Sequence, residues 1–201
     1  MSRFDITQTN IAVERLLEET ENPRHRFLLQ NYNRHRYLEM AGRWEEIFAP
    51  DMTIEHPVYR FNYLGQVFTM DGAEEVQATY REWAETDQCI FYTENEQRAV
   101  GDSMVISRGI GYQQIPGAVL AEQGVPADPE RTYLAKTQEA MIWPYDERGR
   151  LIGEDVWEFE PEAREFILLE PDEVLTVAQA AELLDPLIKP LPDFEESVTT
   201  A

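Results

Sequence analysis

Apolar residues recur at helical spacing through the first fifty positions, and from Asp51 the repeat changes to two. The run "NIAVERLLEETENP" predicts a short helix that stops before Pro23, and "PRHRFLLQNYNRHRYLEMAG" a longer one begun by that proline. "GRWEEIFAP" sets Trp44, Ile47 and Phe48 at helical spacing and ends at Pro50. In "APDMTIEHPVYRF" the alternation puts Met52, Ile54, His56 and Val58 on one inward face, with Thr53 and Glu55 opposite. "NYLGQVFTM" predicts a second strand, and "DGAEEVQATYREWAET" a helix whose inward stripe is Val76, Tyr80 and Trp83. Four strand-like runs follow: "QCIFYTE", "SMVISRGIGYQQI", "RTYLAKTQEAMIWPY" and "RLIGEDVWEFE". Helices first and then a mostly antiparallel sheet define the α+β class.

The stretch "PGAVLAEQGVPADPE" predicts a long irregular hairpin connection, an insertion over about 115–131 of the kind that serves as a lid or contact surface. After Pro161 the chain shows one helix, "TVAQAAELLDPLI", and a proline-punctuated acidic end expected to be peripheral or disordered. The expected organisation is one α+β domain over 1–160 and a C-terminal extension over 161–201. Within the 201 residues, 39 Asp and Glu oppose 17 Lys and Arg, a net charge of −22 that repels nucleic acid and anionic membrane surfaces. Cys89 is the lone cysteine, there is no signal-peptide pattern, and no apolar run reaches membrane-spanning length, so a soluble cytoplasmic protein is expected.

The run from Arg24 to Glu160 resembles the nuclear transport factor 2-like superfamily, in particular SnoaL-like cyclases and ketosteroid isomerase. The resemblance is carried by "FAPDMTIEHPV", which is similar to the isomerase strand that bears the general base. It implies a cone-shaped, curved sheet wrapped around the N-terminal helices and enclosing a pocket. In gapless register His56 falls on the base and Tyr32 on the oxyanion-hole tyrosine. The second oxyanion donor falls near Met141, with Glu139 the nearest acid. "RAVGDSMVISRGIGY" fits the long isomerase strand and implies that Ile106, Arg108, Ile110 and Tyr112 face the pocket. On the last strand, where cyclases and epoxide hydrolases keep an aspartate, this chain has Val156 or Trp157, and Asp155 or Glu154 substitutes only through a bulge.

Chemically, a buried neutral imidazole at His56 is a competent base, and once protonated an acid. The alternative is a core histidine bonded to a neighbouring strand. Tyr32 either stabilises an oxyanion or packs with its hydroxyl on backbone. Arg108 either pairs with a buried acid or ligand carboxylate, or turns to solvent at a bulge. Glu154 and Asp155 point to opposite faces, so one of them enters the cavity. Trp83, Tyr112, Met141 and Trp157 are the expected substrate-binding residues, and they fit an ordinary core equally well. His25 and His35 lie about 15 Å apart along one helix, so no metal site is expected, and no phosphate loop or nucleophile motif appears.

These features predict a cofactor-independent lyase or isomerase (dehydratase, double-bond isomerase or cyclase) acting on a polyketide-, steroid- or terpenoid-like metabolite. His56, Tyr32, Glu139 and Asp155 are its expected catalytic groups. The competing readings are a non-catalytic binding or assembly module and an epoxide-hydrolase-like enzyme. A homodimer is expected from the resemblance.

Overall fold

The computed structural model describes residues 4–198. Helix α1 (Ile11–Glu19) and helix α2 (Pro23–Met40) come first, followed by a 3-10 turn at Trp44–Phe48 where regular helix was expected. Pro23 starts α2, and the Asn22 side chain accepts from the His25 N–H to cap it. Phe27, Leu28, Leu29, Tyr37, Leu38 and Met40 surround the helix with apolar side chains. A helix apolar on all sides is a central one, so the charged residues it carries are buried with it.

Strands β1 (Thr53–Tyr63) and β2 (Gln66–Asp71) form a hairpin, helix α3 (Ala73–Glu85) crosses, and β3 (Phe91–Val100) and β4 (Met104–Pro116) follow. The 115–131 connection contains a short helix, α4 (Gly117–Glu122), before β5 (Thr132–Pro144) and β6 (Leu151–Glu158). The sheet order is β2-β1-β6-β5-β4-β3, antiparallel throughout except for the β1·β6 pair. This curved sheet wraps the N-terminal helices, giving the cone-shaped α+β architecture. Tyr32, Leu28 and Ile47 share one core with Met52, Tyr59, Met141 and Trp143 from the strands.

The C-terminal segment is more structured than its composition suggests. β7 (Glu165–Leu168), which the sequence pattern did not reveal, pairs with β5. Helix α5 (Val177–Leu184) forms as expected, held by a Thr176/Gln179 capping box. Helix α6 (Phe194–Val198) lies in the acidic end and packs Phe194 edge-on to Phe27 at 5.0 Å. No described helix is long and apolar enough to cross a membrane.

Two strands face the opposite way from the sequence expectation. β1 has an extra loop against β6: five steps from Thr53 to Val58 oppose two from Leu151 to Gly153. Gly153 permits this, because a Cβ there would stand 1.9 Å from the Val58 carbonyl oxygen. Past this bulge the inward set is Pro57, Tyr59 and Phe61, and His56 is turned out. In β4 the inward residues are Val105, Ser107, Gly109 and Gly111, while Ile106 and Arg108 lie on the outer face.

Candidate functional site

A cleft of about 90 Å³, open to solvent, lies between α2, α3 and the concave sheet. Its walls are Phe61 of β1, Phe68 of β2, Trp83 of α3, Phe91 of β3, Met141 of β5 and Val156 of β6. Set among these apolar groups are Arg36 and Glu39 of α2, Glu139 of β5 and Glu154 of β6, which are 5%, 8%, 7% and 5% exposed. One helix and two strands thus bring three carboxyls and one guanidinium into one low-dielectric space.

Each charged group has a local reason to be there. Arg36 and Glu39 are one helical turn apart on α2, and the helix is central, so both enter the interior. Glu139 occupies room left by Gly111, where a Cβ would come within 2.3 Å of its carboxyl oxygen. The Thr137 hydroxyl donates to Glu139 Oε2 at 3.3 Å. Glu154 follows the bulge at Gly153 and points inward, while its neighbour Asp155 points out.

Burial dominates the electrostatics. It pushes the carboxyls of Glu39 and Glu139 up to about 7, with Arg36 pulling the other way. Burial, and then the charge of Glu39, holds Glu154 well above the usual carboxylate range. Burial opposes the Arg36 cation, but Tyr32, Glu39, Glu96 and Glu139 more than offset it, so the guanidinium stays charged. Arg36 lies with its guanidinium carbon 3.7 Å from the centre of the Phe91 ring, and its Nε has no hydrogen-bond partner among the described residues. Among the described residues, no hydrogen bond or ion pair reaches the carboxyl of Glu39 or Glu154, and no three acidic, histidine or cysteine side chains converge as a metal cage.

Four of the residues expected from sequence reach the cleft: Glu139, Met141, Trp83 and, at its rim, Tyr112. Tyr112 is buried mainly on the outer face against Leu134 and Leu169, where its hydroxyl donates to Glu94 at 2.9 Å. The other five lie elsewhere. The His56 side chain is 70% exposed and meets Asp71 at 2.8 Å on the surface, because the β1 bulge reverses the alternation. Tyr32 is wholly buried in the core beneath the cleft; the Arg98 guanidinium covers its ring at 4.0 Å, and its hydroxyl has no hydrogen-bond partner among the described residues. Burial raises that phenol to about 12. His56 and Tyr32 therefore do not open onto a common cavity. Asp155 pairs with Arg60 at 3.3 Å, Arg108 stacks over Phe159 at 4.4 Å, and Trp157 is exposed, all on the outer face.

Sequence reasoning missed Arg36 and Glu39, and weighed Glu154 only against Asp155. The usable signal for the first two was their position on a helix apolar on every side.

No protein-family model matches the chain, and no curated protein matches it. Solved structures similar to it include a CaMKII hub from S. rosetta, with TM-score 0.45, 10% identity, and coverage of 67% of this chain and 96% of that one. An NTF2-like protein from Anabaena variabilis gives TM-score 0.43 and 10% identity over 79% of this chain and 94% of that one. A phenazine biosynthesis-related protein from Pseudomonas aeruginosa gives TM-score 0.40 and 12% identity over 75% and 79%.

Proposed function

We propose that the cleft is an active site for cofactor-independent proton transfer on a small hydrophobic, oxygenated molecule, in the lyase or isomerase class. The observation that carries this reading is the convergence of Glu39, Glu139, Glu154 and Arg36 in an apolar-walled cleft, with two of the carboxyls unpartnered. A carboxyl shifted to about 7 is poised to exchange protons at neutral pH. Glu139, steadied by Thr137, is the base, and Glu154, held in its acid form, is the proton donor. Arg36 faces the charge that develops on a substrate oxygen. In an isomerisation, the proton that Glu139 takes from one carbon returns to another. In a dehydration, Glu154 donates a proton to the departing hydroxyl, which leaves as water, and the two carboxyls re-equilibrate with solvent.

Ring opening of nitrobenzisoxazole tests this directly, since it needs only a desolvated base and a partner for the phenolate product. Turnover should rise with pH through about 7 and fall about a hundredfold in Glu139→Gln. Turnover that is equal in wild type, Glu139→Gln and Glu154→Gln would remove the catalytic reading and leave a non-catalytic binding module. The exposed Ile106, Ile152 and Trp157 on the outer sheet face support the homodimer implied by the sequence resemblance, which sedimentation would detect.

A further inference from the structure

We infer that the ligand of the cleft is a small protonated amine on an apolar body, whose ammonium group pairs with Glu39, a carboxyl with no ion-pair partner among the described residues. This rests on the cleft being the ligand site, and it names the ligand's charge.

Three carboxyls face one guanidinium, and neither Glu39 nor Glu154 has a hydrogen-bond or ion-pair partner among the described residues. A buried carboxylate without a partner is costly, so the cleft resists ionisation when empty. One added cation changes this: with Glu39 and Glu139 ionised and Glu154 in its acid form, the ammonium and Arg36 leave the site neutral. An anionic ligand would meet one arginine and three acids, in a chain whose net charge is −22.

Phe61 and Phe68 stack at 5.1 Å, and Trp83 stands edge-on to Phe61 at 6.0 Å. Aromatic faces beside carboxylates attract an organic cation and also cover its apolar body. Phe91 already carries the Arg36 guanidinium in this way.

The groups around the ammonium position set its pH dependence. Glu39 is faced by Arg36 from its own helix, Tyr59 from β1, Tyr80 from α3, Cys89 before β3 and Glu154 from β6. Glu139 is faced by Arg36, by Glu96 of β3, by Glu158 of β6 and by Tyr63 of β1. Of these, Glu39 and Glu139 lose protons near neutrality, so affinity for a cation should rise with pH and binding should release protons.

Calorimetry on the full chain with benzylamine, benzyl alcohol and benzoate decides the matter. Near pH 8, benzylamine should bind about tenfold or more tightly than benzyl alcohol, with benzoate weakest. Lowering the pH to about 6 should weaken benzylamine roughly tenfold and leave benzyl alcohol unchanged. Glu39→Gln should bring benzylamine down to the level of benzyl alcohol. Benzoate binding as tightly as benzylamine would overturn the inference, as would an unchanged benzylamine affinity in Glu39→Gln. If that variant fails to fold, the ranking of the three probes on the wild-type chain decides alone. Glu139-dependent turnover of nitrobenzisoxazole without benzylamine binding would leave the active-site reading standing and remove only the cation; loss of both would remove both.

Discussion

Glu96 and Glu158 are buried as deeply as Glu39 and Glu154, yet they belong to a different part of the molecule's chemistry. Glu96 holds Arg98 in a two-pronged pair with side chains 3% and 1% exposed. Glu158 pairs with Arg164 and accepts the Leu64 N–H at 3.1 Å. In both cases the arginine follows within six residues, so the chain supplies the partner where it supplies the acid. Glu39 and Glu154 come from elements far apart in sequence and line an open cleft, with no ion pair to either among the described residues. Buried acids with a partner hold the fold. Those without one await a partner from outside.

Breaking a paired acid should therefore have the largest effect. Arg98→Met strands the Glu96 carboxylate and uncovers the Tyr32 ring, and should cost about 3–5 kcal/mol in urea unfolding. A loss below about 1 kcal/mol would mean that the pair contributes little to the fold.

The acids of the cleft should show themselves through pH. Glu39 and Glu139 have folded-state values near 7 against an ordinary 4.5, so the folded chain binds more protons across that window. Their contribution is fully present below about 4.5 and is lost as pH rises through about 7, on the order of 3 kcal/mol for each. Relative to wild type, Glu39→Gln/Glu139→Gln should flatten the fall in stability over this range. Parallel profiles in the two proteins would contradict the burial argument.

Glu154→Leu should raise stability by about 1–2 kcal/mol, by removing an unpartnered buried carboxyl, while abolishing nitrobenzisoxazole turnover. The smallest effect belongs to His56→Ala. Its exposed pair with Asp71 should matter by no more than about 0.5 kcal/mol, with turnover unchanged. A large loss of turnover there would restore the histidine to the chemistry.

The contrast between His56 and Arg36 shows what the sequence could reveal. Helix α2, the succession from β1 to β6 and the inward position of Trp83 follow from periodicity, whereas Glu139 and Met141 are reached through the family resemblance. His56 was misplaced because three added residues before Val58 reverse the face of β1, and alternation carries no mark of such a bulge. On β4 the family resemblance implies that Ile106, Arg108, Ile110 and Tyr112 face the pocket. The inner face instead carries Ser107, Gly109 and Gly111, since Glu139 needs the space. Arg36 and Glu39 look like a solvent-exposed helical pair until the apolar positions around them show that α2 has no solvent face there.

The cleft's buried carboxyls have no ion-pair partner among the described residues, and burial poises them near neutrality. Carboxyl-carbon NMR on selectively labelled glutamate, assigned with Glu39→Gln and Glu139→Gln, measures this without a substrate. Midpoints near 7 for both residues are the predicted result, and midpoints near the ordinary 4.5 would contradict the account.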